Sequence, residues 1–260
     1  MRVLIITGGS SGIGQATALL FVQNDWHVYE LSRHGNDNNG IVHLSCDVTN
    51  ESDCAEAVAE VVRREGHIDV LISNAGFGIS GPIEFTRTED AKRLFDVNFF
   101  GALNISRAVL PQMRQQRYGR ILFTSSVAGL LPVPYQSFYS ASKSAVNALA
   151  LSMQNEVRQF GIKVACLLPG DVSTGFTDAR EKNMSGEEIY TNAGKAVEAM
   201  EKDERGGMRP EKMARIFYRM ATKRHIQTYY VGGTDYKILW LLGKILPVSL
   251  VNRIEGLMYS

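Results

Sequence analysis

A phenol and an ammonium group stand four residues apart in "YSASK", Tyr139 to Lys143, and a hydroxyl, Ser126, lies thirteen residues before the phenol. On a helix, residues i and i+4 lie one above the other, so Tyr139 and Lys143 share a face. A free phenol titrates near 10, too high to serve as a base at neutral pH. A buried cation beside it favours the phenolate and is expected to lower that value. The phenol could then exchange a proton with a carbonyl or alcohol oxygen. Ser126 ends an apolar run, and its hydroxyl can stabilise charge developing on the same oxygen. Each residue also has a plain reading, as packed aromatic, solvated charge or strand-end hydroxyl. The elements around them decide between the two.

The first such element is "TGGSSGIG", Thr7 to Gly14, between an apolar run and a helical pattern. Gly8 allows a tight turn, Gly12 lets backbone approach a pyrophosphate, and Gly14 lets the helix pack on the strand. A helix N-terminus there presents free N–H groups and partial positive charge to phosphate. Gly8, Ser10, Ser11, Gly12, Ile13 and Gly14 are therefore the expected phosphate cradle. A merely structural turn is the competing reading, and the strand–turn–helix context argues against it.

An acidic residue about 20 positions past such a loop accepts bonds from the ribose 2′-hydroxyl of NAD. In "ELSRH" that position falls on Ser32, with Arg33 next. A guanidinium there can hold a 2′-phosphate through a charge-assisted fork, which favours NADP(H). Glu30 keeps NAD(H) open, because a register slip of two would put its carboxylate in the deciding place.

Seven short apolar runs read as strands: Val3–Thr7, His27–Leu31, Ile41–Ser45, Asp69–Ser73, Arg120–Ser125, Lys163–Leu168 and Gln227–Gly232. Most are continuous rather than alternating, as expected of strands covered on both faces. Amphipathic stretches separate them, among them Gln15–Asn24, Ser52–Glu65, Glu89–Gln116 and Tyr139–Phe160. The alternation predicts an α/β fold, a doubly wound (Rossmann) parallel sheet of about seven strands with helices on both faces. One domain spanning 1–260 is the economical reading. Residues 175–208 are polar and glycine-rich and break the rhythm, as a substrate lid or a solvated loop would.

With 260 residues and a net charge of +1, nothing points to nucleic acid as a partner. Three cysteines and five histidines lack metal-like spacing, so no metal site is expected. A strand starts almost at once and no apolar leader precedes it, which argues for a cytoplasmic protein. The apolar extension of about 234–260 contains "YKILWLLGKILPVSLV", which Lys244 and Pro247 interrupt. It falls short of the roughly 20 residues that span a bilayer. A packed C-terminal helix is preferred over one that lies on a membrane or covers a pocket.

The spacing G-x-x-x-G-x-G, with Tyr139-x-x-x-Lys143 downstream, resembles the short-chain dehydrogenase/reductase family, along nearly the whole chain. "CDV" looks like that family's adenine-contacting segment, which implies roles for Asp47 and Val48. "SNAG" matches its Asn-Asn-Ala-Gly motif except at the first position and implies Asn74, Ala75 and Gly76. "DVN" implies Asn98 as the active-site asparagine, holding a water that connects Lys143 to solvent. "PGDVST" implies Pro169, Gly170, Val172 and Thr174 around a nicotinamide. The resemblance also selects Ser126 over Ser125, and has Lys143 assist Tyr139 and bind ribose hydroxyls. Family members usually associate through the helices at 89–116 and 139–160, which implies a homodimer or homotetramer.

The expected activity is NADP(H)-dependent interconversion of a hydrophobic ketone or aldehyde and its alcohol, similar to hydroxysteroid- and retinol-type members. Leu130, Leu131, Pro132, Val133, Tyr135, Phe77, Ile79 and Phe176 would wall the substrate. The alternatives are an NAD-dependent alcohol or hydroxysteroid dehydrogenase working oxidatively, and a non-catalytic dinucleotide-binding regulator.

Overall fold

A computed structural model describes residues 1–258. The chain runs through β1 (Arg2–Thr7), α1 (Gly12–Val22), β2 (Trp26–Ser32), β3 (Ile41–Ser45), α2 (Glu51–Glu65), β4 (Val70–Ser73) and a two-residue β5 (Ile79–Ser80). Next come α3 (Thr88–Phe95), a π-helical turn (Asp96–Phe100), α4 (Gly101–Gln116), β6 (Gly119–Thr124), α5 (Ser137–Val157) and β7 (Ile162–Pro169). The remainder is α6 (Phe176–Ala179), β8 (Glu181–Lys182), α7 (Ala193–Arg205), α8 (Pro210–Thr222), β9 (Tyr229–Gly232), α9 (Thr234–Ile245) and α10 (Val248–Met258).

Seven strands form one sheet in the order β3-β2-β1-β4-β6-β7-β9, and every neighbouring pair is parallel. Successive side chains of β1 show why its run is continuously apolar. Val3 and Ile5 enter a core shared with Val58 of α2, Val109 of α4 and Val146 of α5. Leu4 and Ile6 enter a second core with Phe21 of α1 and Phe217 of α8. Helices cover both faces, so neither face needs polar side chains. Strand order reverses between β1 and β4, which opens a crevice at the carboxyl edge of the sheet. The expected strands lie within two residues of the observed ones at every end.

Three expectations need correction. The helix expected over 89–116 is broken by the π turn at Asp96–Phe100. Residues 175–208 are not irregular: β8 pairs with β5, and α7 buries Ala193, Ala196, Val197 and Met200. Small alanines carry much of that apolar stripe, which made its periodicity faint. The C-terminal extension is two helices, not one packed helix, and they part before Pro247. Tyr236, Leu239, Trp240 and Val251 rest on the core, while Ile238, Leu241, Leu242 and Ile245 stay exposed. No helix among the described residues is long and apolar enough to cross a membrane. The last two positions of the extension, 259 and 260, lie outside the described residues.

Candidate active site

The glycine loop sits at the end of β1. Gly8 and Gly12 adopt φ of +63° and +52°, a region that favours glycine. At Gly14 a Cβ would lie 2.1 Å from the Gly8 carbonyl oxygen, so helix and loop touch. Ser11, at the N-cap of α1, makes no side-chain cap bond, which leaves the N–H groups of the first turn open. Asn74 fastens the loop from the neighbouring strand. Its Nδ2 donates to Thr7 O (3.2 Å) and Gly8 O (3.0 Å), and its Oδ1 accepts from Thr124 Oγ1 at 2.9 Å. The result is an open backbone cradle of the kind a dinucleotide phosphate fits.

At the end of β2 the structure decides what Glu30 does. Its Oε1 accepts from the Gly9 N–H at 3.1 Å and its Oε2 meets His43 Nδ1 at 2.7 Å, with the residue 4% exposed. The carboxylate braces the loop from beneath and is not presented to a ligand. Arg33 is exposed and makes no ion pair among the described residues. Asp47, just past β3, accepts from Thr49 through both N–H (2.9 Å) and Oγ1 (2.8 Å). Burial pushes its carboxyl up, yet these bonds and the charge of Arg33 leave it below the usual carboxylate range.

Ser126 stands two residues past the end of β6, and its Oγ accepts from the Ala128 N–H at 3.1 Å. Tyr139 and Lys143 lie one turn apart on α5, with Lys143 Nζ 5.7 Å from the Tyr139 ring centre. Lys143 Nζ donates to Thr124 O at 3.0 Å. Burial lowers its ammonium to about 8. Burial pushes the phenol of Tyr139 up to about 12, although a hydrogen bond with Ser126 pulls it down. Burial is the largest influence on the phenol, with the Glu204 charge adding to it and that of Arg180 opposing it.

Asn98 lies in the π turn, a feature frequent at functional sites. It is 2% exposed; its Oδ1 accepts from Phe77 N, and its Nδ2 donates to Phe77 O and to Ser142 Oγ, at 3.0, 3.0 and 3.1 Å. Ser142 Oγ donates in turn to Tyr139 O at 2.7 Å. The amide therefore ties the segment after β4 to α5 beneath the tyrosine.

These parts open on one cavity of about 530 Å³. Its wall holds Ser126, Tyr139 and Lys143 with Gly8, Ser10, Ser11, Gly12, Ile13, Asn74, Ala75, Gly76, Pro169, Gly170, Val172 and Thr174. Gly14, Arg33, Asp47, Val48 and Asn98 stand outside it. Of the expected apolar wall, Phe77, Leu131, Val133 and Phe176 line the cavity, whereas Leu130, Pro132, Tyr135 and Ile79 do not.

Sequence reasoning pointed to a lid in 175–208 but did not name the residues of the far wall. Met200, Asp203 and Glu204 come from α7, Asp235, Tyr236 and Leu239 from α9, and Glu255 from α10. A buried Arg180 pairs with Glu204 behind it. The acidic residues inside the otherwise apolar extension were the available signal.

A family model described as "short chain dehydrogenase" matches residues 2–185. The chain is 39% identical over 264 residues to a 3-ketodihydrosphingosine reductase of Bacteroides thetaiotaomicron, covering 100% of this chain and 98% of that protein. It is 31% identical to a probable short-chain type dehydrogenase/reductase of Helicobacter pylori, covering 94% and 93%. Among solved structures, a short-chain dehydrogenase from Streptomyces avermitilis superposes with a TM-score of 0.84 at 29% identity, covering 94% and 92%. Sheet order, glycine loop and matched sequence agree: the chain belongs to the short-chain dehydrogenase/reductase family, NAD(P)-dependent oxidoreductases acting on carbonyl and CH–OH groups.

Proposed function

We propose that the protein is an NADPH-dependent reductase of a ketone carried on a long apolar chain. One observation carries the reading: Ser126 and Tyr139 meet in a cavity that the glycine-loop cradle and apolar side chains such as Phe77, Leu131, Val133 and Phe176 both line. A relative matched over its whole length bears the name 3-ketodihydrosphingosine reductase, a ketone of this shape. Exposed apolar side chains of α9 continue the wall outward.

The bound dinucleotide supplies the hydride. Tyr139 gives its proton to the substrate oxygen, and Ser126 donates a hydrogen bond to the same atom as charge grows on it. Lys143 holds the ribose hydroxyls and keeps a positive field beside the phenol. Asn98 supports a water relay that returns the proton through Lys143. Gly8–Gly14 would hold the pyrophosphate, Asp47 and Val48 would serve the adenine, and Asn74–Gly76 with Pro169–Thr174 would complete the dinucleotide site. Arg33 takes the 2′-phosphate, and this preference is favoured because Glu30 is already committed to Gly9 and His43.

Residues 175–208 serve as the substrate lid, with α7 as its rigid part. The protein works in the cytoplasm as a homodimer or homotetramer through α4 and α5, where Leu151 on α5 and Phe100 just before α4 are exposed.

The test follows NADPH absorbance with 3-ketodihydrosphingosine, a shorter straight-chain ketone and acetone. Oxidation is expected with the long-chain compounds, faster with NADPH than NADH. If no ketone of eight or more carbons is turned over, the reading fails.

A further inference from the structure

We propose that Glu255 is a specificity residue that recognises a basic nitrogen on the substrate, so that the protein selects amino-ketones over plain ketones. The inference rests on the reductase reading for the position of the reacting carbonyl and deepens it. Five carboxylates line the cavity, namely Asp171, Asp203, Glu204, Asp235 and Glu255, against one ammonium, Lys143.

Four of the five are accounted for. Asp203 and Asp235 are exposed and solvated. Glu204 is paired with Arg180 and accepts from Thr177 Oγ1 at 2.7 Å. Asp171 accepts from the Tyr236 hydroxyl. Glu255 differs. It is 8% exposed, is the one carboxylate of α10, and makes no hydrogen bond or ion pair among the described residues.

The largely buried carboxylate opens only on the cavity and has no protein partner there, and burial raises it above its ordinary range. Apolar packing alone would be better served by leucine at this position of α10. What offsets the cost is a ligand that brings its own donor. A protonated amine forms a charge-assisted hydrogen bond with the carboxylate and restores its charged form. Lys143 cannot fill that place, because its ammonium is bound to Thr124 O. Leu131 and Leu239, which line the same cavity, suit the hydrocarbon part of such a molecule. The ligand class is therefore an amphiphile with a cationic nitrogen near an apolar chain.

The experiment measures binding rather than turnover, so it stands apart from the reductase test. A ten-carbon 2-amino-3-alcohol and the matching 3-alcohol without nitrogen are titrated into the full-length protein with NADP bound, at pH 7.5, by calorimetry. Wild type is expected to bind the amino compound about tenfold or more tightly, the range of a hydrogen bond to a charged group. Glu255→Gln should erase that preference, Glu255→Asp should keep part of it, and Asp235→Asn should leave it intact. Melting temperatures report whether each variant is folded. An equal affinity of wild type for both compounds overturns the inference, as does a preference that survives in folded Glu255→Gln or is lost in Asp235→Asn. Reduction of plain and amino-ketones at equal rates, with equal binding, would sink the nitrogen site and leave the reductase standing.

Discussion

Lys143 reaches from α5 to the end of β6, where its Nζ donates to the carbonyl oxygen of Thr124 at 3.0 Å. The hydroxyl of that threonine donates to Asn74, and Asn74 holds Gly8. One hydrogen-bonded line thus joins the lysine to the nucleotide loop across three strands.

Burial of Lys143 makes its contribution to stability depend on pH. Its folded value is lowered to about 8 from 10.5, so between those limits the unfolded chain binds the proton and the native state does not. Stability from this group therefore rises as pH climbs from about 8 to about 10.5, by up to roughly 3 kcal/mol. Lys143→Met should lack that rise. Urea unfolding of both proteins at pH 7.5 and 9.5 measures it, and parallel changes would refute the assignment.

Tyr139→Phe removes the proton donor and little else, since the ring stays against Phe176 at a centroid distance of 5.7 Å. Turnover should fall by about 10²–10⁴-fold, the worth of a positioned acid. NADPH affinity, followed by fluorescence titration, should stay within about twofold because the cradle is untouched. Retained turnover would remove Tyr139 from the chemistry.

Arg33→Ala tests cofactor choice. Loss of a bidentate contact to a 2′-phosphate should weaken NADPH by about 10- to 100-fold and leave NADH nearly unchanged. Two equal losses, or none, would transfer the discrimination to another residue.

Asn98→Ala strips partners from the N–H and C=O of Phe77 in a buried setting. A cost of about 2–4 kcal/mol in urea unfolding is expected, from unmet backbone groups more than from lost volume. A change under about 0.5 kcal/mol would mean that the segment after β4 is held by other contacts.

Much of this was legible beforehand, for identifiable reasons. Strands such as Val3–Thr7 announce themselves because two cores demand apolar residues on both faces. Tyr139, Lys143 and Ser126 were readable because helix period and strand end fix where their side chains go. What escaped depends on contacts between distant segments. Nothing local shows that Glu30 turns back to Gly9, 21 residues away, or that Asn98 clasps Phe77. That burial pushes the Tyr139 phenol up was likewise not legible, because burial is set by contacts between distant segments. The wall from α7, α9 and α10 was hidden for the same reason.

Gly170 has no side chain, and the ring of Tyr236 fills the place: a Cβ there would lie 2.1 Å from it. The hydroxyl of Tyr236 also bonds Asp171, so the turn after β7 and the first turn of α9 are keyed together. Such keying makes the two segments one mechanical unit: a shift of the Pro169–Thr174 turn must carry the start of α9 with it, and Gly170→Ala should displace both at once.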